Sequence, residues 1–137
     1  MPYFSVDKLP YLPDSCGYFE CVRDMPFPIW LDSGRPKSHH GRYDIISAQP
    51  SCRLETMGEL TTICEAEQRQ SHRGNPFDWV SSRLPPSSSQ PPKDLPFCGG
   101  AMGYFGYDLG RHLETIPSLA QQDINLPDMH VGIYDWA

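Results

Sequence analysis

The sequence predicts an α+β fold, a mainly antiparallel β-sheet with short flanking helices, and three observations lead there. The middle of the chain is a succession of short apolar runs, each closed by a turn signal. Two short stretches with helical spacing lie on either side of it. A glycine-rich aromatic run and a final apolar run, "MHVGIYDWA", supply further strands.

The first helix is predicted over residues 14–24, where Asp14 or Ser15 can cap the N-terminus and Cys16, Phe19 and Val22 repeat at helical spacing. Pro26 and Pro28 stop it. "PIWLDSG" then has the apolar content of a short strand ended by Gly34, and the polar run "RPKSHHG" is a loop. "RYDIISAQP" is the returning strand, with Tyr43, Ile45 and Ile46 apolar and Pro50 closing it. "SCRLET" and "ELTTICEAE" form a hairpin around Met57-Gly58, so this middle part reads as a β-meander. "NPFDWVSSRL" restarts helical spacing, because Asn75 can cap, Pro76 suits the first helical position, and Phe77, Val80 and Leu84 share a face. "PPSSSQPPKD", residues 85–94, is a flexible Pro/Ser-rich segment. A helical turn at "DLGRHLETI", a polar loop "PSLAQQDINLPD" and the final strand complete the chain. An apolar strand at the very end, with Val131, Ile133, Tyr134 and Trp136, needs a pairing partner, and the expectation is a chain cut from a longer one.

Composition narrows the function classes. The 137 residues, 39% of them hydrophobic, suffice for one modest core, so residues 1–137 are expected to form a single domain. Eleven Lys and Arg stand against 17 Asp and Glu, giving a formal charge of −6 with no basic run, which argues against a nucleic-acid partner. The start, "MPYFSVDKLPYLPDS", lacks the basic and apolar regions of a signal peptide, and no stretch approaches the roughly 18 apolar residues of a membrane span. No membrane partner and a cytoplasmic location are expected. The five cysteines, Cys16, Cys21, Cys52, Cys64 and Cys98, contain no C-x-x-C pair and read as free thiols.

"CGGAMGYFGYDLGRHLE", residues 98–114, raises the question of a phosphate loop. A P-loop needs Lys-Ser or Lys-Thr directly after its last glycine, and none is present. A dinucleotide fingerprint fails too, because Gly100, Gly103 and Gly106 are spaced by three with bulky residues between them. Glycines alternating with Tyr104 and Phe105 instead suit a crowded inner strand, with a bulge or another backbone or side chain coming close, followed by a helix begun by Asp108.

Four segments together carry a family resemblance: "LPFCGGAMGYFGYDLGRHLETIP", "INLPDMHVGIYDWA", and "PIWLDSG" followed by "GRYDIISAQP". Over nearly the whole chain they resemble the N-terminal region of the chorismate-utilising enzymes. The G-G-x-x-G-Y-x-x-Y-D pattern at residues 99–108 is common to the anthranilate and aminodeoxychorismate branches, while P-D-M-x-V-G-I-Y-D-W-A at 127–137 is similar to the latter. The resemblance implies a component I synthase that aminates chorismate to 4-amino-4-deoxychorismate for para-aminobenzoate and folate synthesis. It implies ammonia from a glutamine amidotransferase subunit and magnesium at the chorismate carboxylate. In that family the chorismate and Mg2+ residues, with the lysine of a P-I-K-G-T motif, belong to a C-terminal domain. The lysines here are Lys8, Lys37 and Lys93, none followed by Gly-Thr, so no catalytic residue and no metal ligand is expected in this chain.

The same resemblance implies a pocket for tryptophan in the N-terminal region. The residues matching its motif are Leu31, Asp32 and Ser33, with Arg42 and Tyr43 on the returning strand. A hydroxyl and a carboxylate can hold an ammonium group, Arg42 can pair with a carboxylate, and Tyr43 can cover an indole face. The alternative is a turn in which Asp32 and Ser33 bond local backbone. Elsewhere, His39 and His40 lack a carboxylate third ligand for a metal, and His112 can meet Asp108 as an i, i+4 pair. Two other functions stay open: a segment of an anthranilate synthase component I, and a non-catalytic amino-acid-binding module.

Overall fold

The computed structural model describes residues 4–34, 37, 39–86, 92–121 and 123–137. They form two compact units interleaved in sequence, the first from residues 1–50, 85–100 and 134–137, the second from 51–84 and 101–133. Antiparallel pairing dominates, with few and short helices, as α+β implies. Residues 87–91 of the Pro/Ser-rich segment lie outside the described residues.

In the first unit, helix α1 spans Cys16–Val22. Ser15 occupies the cap position without capping; Asp14 Oδ1 instead accepts the Cys16 N–H at 2.9 Å. Strands β1 (Ile29–Leu31) and β2 (Ile45–Ser47) pair antiparallel, with Ile29 opposite Ser47 and Leu31 opposite Ile45. Arg42 and Tyr43, expected on the returning strand, precede it. Phe19 of α1 stacks on Trp30 of β1 with ring centroids 5.3 Å apart, which anchors the helix to the ribbon. The buried Ser47 donates its hydroxyl to the Trp136 carbonyl at 2.7 Å, and Tyr134 donates to the Phe27 carbonyl at 3.0 Å.

The second unit is built on a five-stranded sheet of order β5-β4-β3-β7-β6. Strands β3 (Cys52–Met57) and β4 (Leu60–Glu65) form the expected hairpin, turning at Gly58, whose φ of 55° suits glycine. Along β3, Cys52, Leu54 and Thr56 are buried and their neighbours are not, the period-2 pattern of a sheet with one covered face. Strand β5 (Gln68–Arg73) has no apolar residue and was not expected. It forms because Ala66 and Glu67 both take positive φ, the two-residue geometry that returns a chain on itself. An edge strand open to water needs backbone pairing more than apolar side chains. His72 stacks on Trp79 at 4.5 Å and ties β5 to helix α2 (Pro76–Ser81).

Helix α2 starts as predicted, with Asn75 accepting the Phe77 N–H at 3.0 Å and Pro76 in the first turn, but Leu84 lies beyond its end and is exposed. Strand β6 (Gly100–Phe105) corrects another expectation, since it lies at the edge of the described sheet and not inside it. The close approach inferred from its glycines is nevertheless present. A Cβ on Gly103 would stand 2.1 Å from the His130 carbonyl oxygen of β7 (Met129–Tyr134).

β7 occupies the position beside β3 and β6 that the sequence could not supply with a partner, and Leu54 faces Val131 across the pair. Between β6 and β7 a 3-10 turn at Tyr107–His112 takes the place of the expected helix. In it Asp108 pairs with Arg111 at 2.8 Å, not with His112. The core joins Cys52, Leu54, Ile63, Met129, Val131 and Ile133 of the sheet to Val80 of α2 and Leu109 of the turn.

Candidate ligand-binding site

The segment after β1 folds back on the segment before β2, and the five residues singled out from the sequence lie on these two stretches. Leu31 ends β1 opposite Ile45 and is exposed. Asp32 Oδ1 accepts the Gly34 N–H at 2.7 Å, the local turn that the sequence allowed as an alternative. Ser33 does something different. Its N–H and its hydroxyl both donate to Asp44 Oδ1, each at 2.8 Å, across eleven residues of sequence.

Gly41 makes that approach possible. It is buried, and a Cβ there would come within 2.4 Å of the Ser33 carbonyl oxygen and 2.7 Å of its Oγ. Any side chain at this position would push Ser33 away from Asp44.

Arg42 and Tyr43 pack on each other and not across an open gap. The guanidinium carbon lies 5.2 Å from the centroid of the Tyr43 ring, a cation–π distance, and Arg42 Nη2 donates to the Tyr43 hydroxyl at 3.3 Å. The same hydroxyl donates to the Asp94 carbonyl at 3.3 Å. Arg42 thus sits against one face of Tyr43.

Asp44 is the residue that sequence reasoning missed. Besides its two bonds from Ser33, its Oδ2 accepts the Ser15 hydroxyl at 2.6 Å, and Ser15 Oγ accepts the Trp30 indole N–H at 3.1 Å. These donors hold the Asp44 carboxyl below its ordinary value, the Ser15 hydroxyl contributing most and the Ser33 N–H and hydroxyl next. The carboxylate is therefore ionised at neutral pH and holds helix α1, β1 and the start of β2 at one point. No spacing rule flags an Asp whose partners lie 11 and 29 residues away.

Among the described residues no three His, Cys, Asp or Glu side chains cluster as a metal site would require of them. His39 and His40 lie in the exposed loop between β1 and β2. A cleft of about 530 Å³ in the second unit, lined among others by Met57, Tyr107, Ile124 and Asp128, contains none of the five residues singled out as ligand-binding. No helix is long and apolar enough to cross a membrane among the described residues.

No family model matches the chain. Individual relatives do. The chain is 46% identical over 133 residues, 95% of its length, to aminodeoxychorismate synthase component 1 of Klebsiella aerogenes. It is 44% identical over 122 residues to the protein of that name in Escherichia coli, which covers 88% of the chain. The chloroplastic anthranilate synthase alpha subunit 1 of Oryza sativa subsp. indica is more distant, at 29% identity over 143 residues and 96% of the chain. The chain spans 30%, 27% and 25% of the length of these three relatives. A match at these identities across almost every element described above places the chain, as a segment, in the family of the aminodeoxychorismate synthase component 1 proteins, with the anthranilate synthases as more distant kin.

Proposed function

We propose that this chain is the N-terminal region of an aminodeoxychorismate synthase component I, an enzyme that aminates chorismate to 4-amino-4-deoxychorismate on the route to para-aminobenzoate and folate. The observation that carries the proposal is the 46% and 44% identity to two proteins of that name over most of the chain, against 29% to a plant anthranilate synthase and 37% to a bacterial one over a shorter stretch of 107 residues. In this reading the fold is part of the chorismate-utilising architecture and the protein works in the cytoplasm. A glutamine amidotransferase supplies ammonia, and the chorismate and magnesium residues belong to a C-terminal domain outside these 137 residues. The chain's own contribution is a supporting domain with a tryptophan-type site at Leu31, Asp32, Ser33, Arg42 and Tyr43.

The chemistry of that site follows from its groups. Ser33 Oγ keeps lone pairs for an ammonium, since its proton is given to Asp44. Arg42 offers a guanidinium edge to a carboxylate, and the Tyr43 ring can pack against an indole.

A chimera tests the assignment. Residues 1–137 replace the matching segment of the Escherichia coli relative, and the product formed from chorismate, ammonium and magnesium is separated by chromatography. Aminodeoxychorismate is the expected product. The product is set by the recipient's own catalytic domain, so the readout is whether residues 1–137 support its turnover, and a folded chimera with no turnover would overturn the assignment.

A further inference from the structure

The register of β3, β4 and β5 sorts their side chains onto two faces. Leu54 lies opposite Ile63 and Thr56 opposite Thr61, and all four are buried, so the residues alternating with them point outward. On the edge strand β5 the outward residues are Arg69, opposite Cys64, and Arg73, opposite Leu60, with Ser71 between them bonded to the Thr62 hydroxyl at 3.0 Å. Four residues along a strand set the two arginines about 13 Å apart on one face. Arg53, opposite Cys64 on its other side, adds a third positive charge, and Glu55 is the one carboxylate among the outward positions of these three strands. The face is therefore basic in a chain whose formal charge is −6.

Arginines elsewhere in the chain are neutralised locally. Arg23 pairs with Glu20 at 2.7 Å, Arg83 with Glu65 at 3.2 Å and Arg111 with Asp108 at 2.8 Å. Among the described residues no ion pair is formed by Arg69 or Arg73, and both are exposed. Strand β5 brings no apolar side chain to the core, so these charges are a large part of what it adds to the sheet. Beside Arg73, Leu60 and the opposite Met57 are 44% and 41% exposed. Arginine and methionine are enriched where proteins meet, and exposed apolar side chains gain from being covered.

We propose that the outward face of β3, β4 and β5 docks an acidic surface of the partner subunit, with Arg69 and Arg73 meeting its carboxylates and Leu60 and Met57 covered beside them. The proposal rests on the synthase reading above and adds where this segment meets its amidotransferase. Charge complementarity selects the occupant, because guanidiniums left without carboxylates in an acid-rich chain pair with carboxylates supplied from outside. A folded protein surface also covers the apolar pair, which a small anion does not.

The test takes the chimera described above together with the amidotransferase subunit of Escherichia coli. Turnover is read with ammonium alone, and with glutamine over a range of that subunit's concentration. R69E/R73E is expected to leave ammonium-dependent turnover unchanged and to raise the subunit concentration for half-maximal glutamine-dependent turnover about tenfold or more. K8E/R23E changes the net charge equally at exposed positions elsewhere and is expected to alter neither reading. If R69E/R73E shifts the half-maximal concentration by less than about twofold, the scale of an ordinary surface substitution, the proposal falls. It falls equally if K8E/R23E shifts that concentration as far. Should R69E/R73E lower ammonium-dependent turnover as well, R69Q/R73Q, which removes the charges without reversing them, decides by the same two readings. A chimera without these substitutions that turns over with ammonium but not with glutamine and the subunit overturns the docking proposal and leaves the assignment standing. Turnover with neither overturns the assignment, and the proposal with it.

Discussion

Replacing Gly103 with alanine is expected to destabilise the chain by about 3–5 kcal/mol, a sum of backbone strain and broken strand pairing. The Cβ would meet the His130 carbonyl oxygen at 2.1 Å, the Val131 Cα at 2.8 Å and the His130 carbonyl carbon at 3.0 Å, all of them backbone atoms that no rotamer change can move. Ordinary contact begins near 3.4 Å, so β6 and β7 must separate locally by about 1.3 Å. Ladder hydrogen bonds of about 2.9 Å do not survive such a widening, and each contributes roughly 0.5–1.5 kcal/mol. A φ of 151° adds strain of about 1–3 kcal/mol for any residue with a Cβ.

The assay is urea denaturation of the 137-residue chain followed by tryptophan fluorescence, with amide exchange on β6 and β7 to locate the loss. Gly58→Ala is the control: at φ 55° it meets no atom within 4 Å, so only the left-handed backbone opposes it, by about 1–2 kcal/mol. A G103A chain within about 0.5 kcal/mol of wild type, a change no larger than that of an ordinary surface substitution, would refute the close packing of β6 on β7.

Two further outcomes follow from the hydrogen-bond pattern. Thr56 and Thr61 are buried and their hydroxyls bond each other at 2.9 Å, so T56V or T61V alone should cost about 1–3 kcal/mol by stranding the partner, whereas the double variant returns close to wild type; additive losses in denaturation would count against the pairing. Asp44 has a folded-state value below its ordinary 3.8, so its contribution to stability is present above that value and is lost as the pH falls through the lower folded one. Comparing acid titrations of wild type and D44N should therefore show a difference that closes at low pH, and a difference independent of pH would refute the carboxylate's role.

Much of the local structure was legible because its causes are local. Asn75 and Pro76 mark the start of α2, Gly58 marks the hairpin turn, and the alternation from Cys52 to Thr56 marks a half-covered strand. β5 escaped because its signal is not apolar periodicity but two positive-φ residues, Ala66 and Glu67, that are not glycines. The 3-10 turn replaced a helix because Asp108 and Arg111 close at i, i+3, and Arg111 also donates to the Ile116 carbonyl at 2.7 Å.

The sequence by itself determined the family, through motifs spread over the whole chain, and singled out Leu31, Asp32, Ser33, Arg42 and Tyr43 as candidates for a ligand site. It also marked the glycines of residues 99–106 as a crowded strand. Tertiary structure alone decided which backbone comes close to Gly103, set β7 between β3 and β6, and left β6 at the edge of the described sheet. It alone made Asp44 the centre of the candidate site. A carboxylate's role depends on which donors surround it in space, and the three that fix Asp44 come from Ser15 and Ser33, residues that nothing in the linear spacing connects to it.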